Sequence, residues 1–234
     1  MISVFWGCPH SGKTTLAVES ALALSASGKS VCLISAEDFS EIGLRFGRVV
    51  PSANSITLAV KDPQSLRSTV MKIDDNLMLL SPSATDSAIG LIFGKSQATG
   101  ILKTADAIFD EVIVDATTWK SNAFTGEGIA LAKNIFVPIP GQVITIPWMI
   151  SNQDVFKKKA DSVVFIRNES APQFDYEAMF RGLKGIVPAI TVPYMPGMTK
   201  MQNDGQPVWT NGSSDKNSKA YRKAIRSIVG ETYF

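Results

Sequence analysis

The residues best placed to do chemistry lie close to the amino terminus. GCPHSGKTT (Gly7–Thr15) places glycines at 7 and 12, followed directly by Lys13, Thr14 and Thr15. This is the G-x-x-x-x-G-K-[ST] pattern of a phosphate-binding loop. The chemistry it implies is recognition of a nucleotide's phosphates. Gly7 and Gly12 let the backbone turn tightly and aim its N–H groups at phosphate oxygens. The positive end of a following helix adds to that attraction. Lys13 is expected to reach the β- and γ-phosphates. The Thr14 hydroxyl is expected to ligate Mg²⁺, with Thr15 near the α-phosphate. Cys8, Pro9, His10 and Ser11 fill the variable positions of the cradle.

Two further groups of carboxylates are candidates. Asp115 closes the apolar run EVIVDA, where it could hold Mg²⁺ opposite Thr14. The run KSVCLIS is followed by Ala36, Glu37 and Asp38. Glu37, and after it Asp38, could orient an attacking water, because phosphoryl transfer asks mainly for positioning and charge. The single histidine, His10, and two cysteines, Cys8 and Cys32, are too few for a structural zinc site. Cys8 lies close to Lys13 and a helix start, a setting that can lower a thiol's pKa. Four tryptophans at 6, 119, 148 and 209 are too scattered for a base-stacking platform.

These residues need a scaffold to bring them together. With 234 residues, 45% hydrophobic and 19% charged, the chain suits one α/β domain, residues 1–234, with a sizeable core. MISVFW is a buried-strand run before the loop, and TTLAVESALALSASG has helical spacing after it, with Gly28 as a stop. Further strands are expected at 29–35, 76–82, 111–116, 134–140, 161–168 and 185–193. Helices are expected at 63–73, within 95–109, at 126–133, over much of 142–158, at 174–183 and at 215–229. Residues 198–217 read as a loop. Such alternation predicts a three-layer fold: a central, mostly parallel sheet of seven or eight strands flanked by helices. Ligands bind at the carboxyl ends of strands in such sheets, and the candidate residues fall at such ends.

Charge excludes little. Residues 1–150 carry 11 Lys/Arg and 13 Asp/Glu, and residues 151–234 carry 12 and 8. The mild basic excess of the second part reads as a solvated face or a weak anionic-partner surface. No run of 18 uncharged apolar residues suggests a membrane span. The immediate entry into a strand leaves no room for a signal peptide. Free thiols beside a nucleotide site point to the cytoplasm. The carboxy-terminal helix offers a short apolar stripe, Ala220, Tyr221, Ala224, Ile225, Ile228 and Val229, suited to docking on the domain rather than to membrane anchoring.

Over nearly its whole length the chain resembles the ParA/MinD group of P-loop ATPases, which includes the TadZ/CpaE pilus-positioning proteins. FDEVIVDATT (109–118) is similar to that family's Walker B strand. GIALAKNIFVPIPGQ (128–142) is similar to its helix, strand and proline-containing loop. VVFIRNES (163–170) resembles the strand whose end carries an adenine-reading asparagine, here Asn168 or a register shifted to Arg167. TVPYMPGMTKMQNDGQPVW (191–209) is similar to its last strand, loop and G-x-P-V close. The resemblance implies ATP and Mg²⁺ as ligands, adenine between Asn168 and Pro193, self-association as a homodimer, and a protein cargo or DNA as partner. It also implies a nucleotide-dependent switch in positioning or partition.

Two departures qualify that implication. Cys8 stands where the family has a lysine that reaches the partner's nucleotide across a dimer. Ser35 and Glu37 stand where the family favours an Asp-x-Asp pair. Binding is expected to be intact and hydrolysis slow. The variable loop favours the TadZ/CpaE-like branch. A RecA-like ATPase, whose second strand can end in a catalytic Glu, is an alternative. A small-molecule kinase is another, although Arg45 and Arg48 are the only arginines close together to serve as a lid.

Overall fold

The computed structural model describes residues 1–37, 39–83, 85–86, 93–183 and 185–230. Asp38, the second candidate for water positioning, lies outside the described residues.

The first strand, β1 (Ile2–Phe5), runs into the phosphate loop and then into α1 (Lys13–Ala26). Strand β2 (Val31–Ser35) follows, then β3 (Met71–Lys72), β4 (Leu77–Leu80), β5 (Glu111–Asp115), β6 (Asn134–Ile139), β7 (Val163–Asn168) and β8 (Ile190–Val192). They form one eight-stranded sheet in the order β3-β4-β2-β5-β1-β6-β7-β8. Only the β3–β4 pair is antiparallel among these neighbours. β5 therefore lies between β1 and β2, so β2 is one strand removed from the phosphate loop. Phe5 and Ser35 both pair with Asp115, which brings the ends of three strands level under the loop.

Alternation along the strands feeds two cores. Val4, Cys32, Ile34, Val112 and Val114 face one layer, while Phe5, Val31, Leu33 and Ile113 face the other, as a period of two requires. The first layer holds α5 (Lys95–Ile108), α6 (Ala123–Leu131) and α7 (Thr145–Ser151). Trp6 and Trp148 meet in it edge to face, with centroids 4.7 Å apart, so these two rings are core and not a platform for bases. The second layer holds α1, buried continuously from Leu16 to Ser25. Its small, apolar side chains let it lie between the sheet and the final helix, α11 (Lys216–Ile228). A helix apolar on nearly every side is stable only when covered in this way.

α11 docks on α1 and β8, burying Tyr221, Ala224, Ile225 and Ile228. Ala220, expected on that stripe, is exposed. Among the described residues no helix is long and apolar enough to cross a membrane.

Several elements differ from expectation. Short helices α2 (Ile42–Arg45) and α3 (Ile56–Lys61) occupy stretches with no predicted element. The helix expected at 63–73 is a 3₁₀ turn, Pro63–Ser65, one turn of α4 (Leu66–Thr69), and then β3. That run is too short for periodicity to settle its type. The helix over 142–158 divides at Asn152 into α7 and α8 (Gln153–Lys158). Pro147 is tolerated because it falls in the first turn of α7, where an amide hydrogen has no intrahelical partner. α9 (Tyr176–Gly182) matches the expected segment, and α10 (Met198–Asn203) lies inside the predicted loop.

Candidate functional site

The loop between β1 and α1 is held by close approaches that exclude larger residues. A Cβ at Gly7 would sit 2.5 Å from Ser11 Oγ and 3.4 Å from the Pro138 carbonyl oxygen. Gly12 has φ 86°, and a Cβ there would lie 2.3 Å from Asn168 Nδ2. His10 also takes a left-handed conformation, φ 58°, unusual for a residue with a side chain. Its ring and Pro9 are exposed. The amide of Asn168, at the end of β7, donates to the Ser11 carbonyl at 2.8 Å and ties the loop to the sheet. α1 begins at Lys13, so the amides of its first turn point out without intrahelical acceptors.

Cys8 behaves unlike a reactive thiol. It is fully buried, its Sγ lies 3.7 Å from Thr145 Oγ1 of α7, and burial pushes its pKa up, against smaller downward pulls from Thr145 and Lys13. The lowering suggested by the neighbouring charge is thus overruled by desolvation.

A cleft of about 830 Å³ opens over the carboxyl ends of the strands. His10, Ser11, Gly12, Lys13, Thr14, Thr15, Glu37, Asp115, Asn168 and Pro193 all line it, whereas Gly7, Cys8 and Pro9 support the loop from outside its walls. Lys13 Nζ pairs with Glu37 Oε1 at 3.2 Å. Asn122, which caps α6, also donates to the Ala36 carbonyl at 3.2 Å. That bond anchors the turn that carries Glu37.

Asp115 is 1% exposed, and among the described residues no donor, the neighbouring Thr14 hydroxyl included, meets full hydrogen-bond geometry with either carboxylate oxygen. Burial raises its pKa to about 7, opposed by Lys13 and Thr14 and assisted by Glu37. A buried carboxylate without full compensation is expensive. A divalent cation beside Thr14 would supply the missing partner, so the donor set fits Mg²⁺. Among the described residues no three His, Cys, Asp or Glu side chains converge as a preformed metal site. This suits a Mg²⁺ that completes its shell with water and phosphate oxygens.

The two residues left open at the end of β7 have different surroundings. Arg167 pairs with Glu169 and Glu177 and covers the Tyr176 ring, while Asn168 lines the cleft. Two of the wall residues from outside the phosphate loop touch it directly. Arg45 of α2 and Gln202 of α10 both reach the Thr15 hydroxyl. The sequence signal for Arg45 was GLRFGR. Arg48 of the same run instead donates to the Lys72 carbonyl at 2.7 Å. Nothing local marks Gln202.

No protein-family model matches the sequence, and no curated protein matches it. Solved structures do match its fold. The cell division ATPase MinD of Pyrococcus furiosus superposes with TM-score 0.78 at 18% identity, covering 97% of each chain. The septum site-determining protein MinD of Pyrococcus horikoshii OT3, complexed with Mg-ADP, gives 0.77 at 16%, covering 97% of this chain and 94% of that one. A ParA family ATPase from Chlorobium tepidum TLS gives 0.79 at 14%, covering 95% and 96%.

Proposed function

We propose that this chain, which has the P-loop fold of the MinD and ParA ATPases, is itself an ATPase of that group, binding ATP with Mg²⁺ and hydrolysing it slowly as a switch. The observation that carries the reading is Asp115. Its two carboxylate oxygens, which no donor among the described residues meets in full hydrogen-bond geometry, sit at the end of β5, level with the loop that presents Lys13 and Thr14. A core carboxylate of this kind is costly unless a ligand answers it. The nucleotide complex of one structural neighbour, the MinD bound to Mg-ADP, supports the choice of ligand.

The roles follow from placement. First-turn amides of α1 and the loop backbone would hold the phosphates. Lys13 would leave Glu37 to meet the β- and γ-oxygens. Thr14 and Asp115 would hold Mg²⁺, which when bound neutralises charge on the phosphates. Glu37, freed from Lys13, would orient the water. Asn168 and Pro193 would border the adenine; one Asn168 amide hydrogen is engaged with Ser11, leaving its oxygen to accept from the base. Position 8 supplies no cation, and one carboxylate of the usual pair is replaced by Ser35. Losses of this kind typically cost 2–4 kcal/mol of barrier, so turnover should fall well below about one per second, against an enzyme median near 10 per second.

As a switch, the protein would couple nucleotide state to self-association and to a cargo, either a pilus or secretion apparatus or DNA. The TadZ/CpaE-like branch fits the altered loop. A RecA-like ATPase is less favoured because the structural match spans the last strand and its loop. A small-molecule kinase is less favoured because Arg48 is tied to Lys72 and Arg45 to Glu41 and Thr15. Calorimetry with ATP–Mg²⁺ on wild type and Lys13→Ala tests the binding. Equal affinities would refute it. Gel filtration with and without ATP tests the switch, and an unchanged elution volume at saturating ATP would count against it.

A further inference from the structure

Thr15 receives two donors. Arg45 Nη1 lies 3.2 Å and Gln202 Nε2 lies 2.8 Å from its hydroxyl oxygen. A hydroxyl has two acceptor lone pairs and one hydrogen, and a guanidinium can only donate. With both lone pairs occupied, the hydrogen must be given elsewhere. No acceptor for it is present among the described residues, and Thr15 faces the cleft beside Lys13 and Thr14.

The two donors come from separate elements that act as one brace. Gly205, with φ 66° just beyond α10, lies so close to the end of α2 that a Cβ on it would be 2.9 Å from the Gly47 nitrogen and 3.2 Å from the Leu44 carbonyl oxygen. Arg45 is further fixed by its ion pair with Glu41, and its side chain is 12% exposed. Neither arm is therefore free to release Thr15 at little cost.

We infer that Arg45 and Gln202 are a positioning pair that turns the Thr15 hydroxyl into a fixed, outward donor for an oxygen of the nucleotide's phosphate chain. The inference rests on the reading of the cleft as a site for nucleoside di- and triphosphates. It adds to the loop two residues from outside the phosphate-loop motif. Polarisation by the guanidinium strengthens the hydroxyl as a donor.

The test is the affinity for ADP by calorimetry, for wild type, Thr15→Val, Gln202→Leu and Arg45→Gln, and for the latter two combined with Thr15→Val. Thr15→Val is expected to weaken ADP about tenfold, the scale of one charge-assisted hydrogen bond. Gln202→Leu and Arg45→Gln should each weaken it several-fold, and neither should weaken it further once Thr15 is Val. A purely structural role would lower affinity equally in both backgrounds, and that result overturns the inference. So does ADP affinity within twofold of wild type in both single variants. Gln202→Met, of nearly equal volume, replaces Gln202→Leu if the latter fails to fold. Failure of wild type to bind ADP would overturn the nucleotide reading itself, and the pair's role with it.

Discussion

Lys13 and Glu37 form an ion pair of 3.2 Å across the mouth of the phosphate loop, with the lysine 11% and the carboxylate 34% exposed. The loop's one cation is thus already engaged, and a triphosphate would have to compete for it. Glu37→Gln removes the competitor and a negative charge near the terminal phosphate. ATP affinity should rise several-fold, while single-turnover phosphate release should slow by tenfold or more if Glu37 orients the water. Weaker ATP binding in this variant would show that Glu37 does not compete for Lys13; unchanged release would remove it from the water.

Asp115 should separate stability from function. Asp115→Asn replaces an uncompensated buried carboxylate with a neutral isostere. Without metal or nucleotide, the variant should melt higher, by roughly 2–4 °C for each kcal/mol recovered in a chain of this size. The gain in ATP affinity on adding Mg²⁺ should be lost at the same time. A lower melting temperature, or an unchanged Mg²⁺ effect, would contradict this account of the site.

Gly12→Ala should abolish nucleotide binding while leaving a folded chain. The left-handed backbone costs a non-glycine residue about 1–2 kcal/mol, and the new methyl would force Asn168 off the loop it anchors. Circular dichroism with ADP titration checks it. A variant that binds ADP like wild type would mean that the Asn168–loop contact is dispensable.

Glu19 predicts a pH dependence of stability. It is buried in α1 and accepts the amides of Val208 and Trp209 at 2.7 and 2.8 Å. Burial raises its pKa from 4.5 to about 7, against downward pulls from those amides, Arg45 and Arg222. The folded chain therefore holds the proton more tightly than the unfolded chain. This contribution is full below pH 4.5 and is lost as pH rises toward 7, a decline of roughly 3 kcal/mol. Glu19→Gln should flatten that slope in urea denaturation across this range. An equal slope in both proteins would place the dependence elsewhere.

The parts of the site legible in the sequence were those written locally. Gly7 to Thr15 between a strand and a helix, and Asp115 at the end of an apolar run, needed no long-range information. Glu37 was legible as a strand-end carboxylate, but its partner was not, because pairing with Lys13 depends on β5 lying between β1 and β2. Arg45 and Gln202 reach Thr15 across 30 and 187 residues, and no spacing rule covers such distances. Cys8 was misleading for the same reason. Its neighbour Lys13 is visible in the sequence, while Thr145, which closes over it, is not. The short helices between β2 and β4 were missed because segments of four to six residues carry too little periodicity to register.

The inward turn of Cys8 bears on the rate law that the proposed hydrolysis would follow. A side chain with no exposed surface, lodged beneath Thr145, cannot lend charge to a nucleotide held by another molecule. Position 8 therefore contributes no dependence of specific activity on protein concentration. In the proposed switch, this part of the loop would leave each molecule to turn over its own nucleotide at its own pace. The assembly's lifetime would then be timed by an internal clock rather than set by encounter.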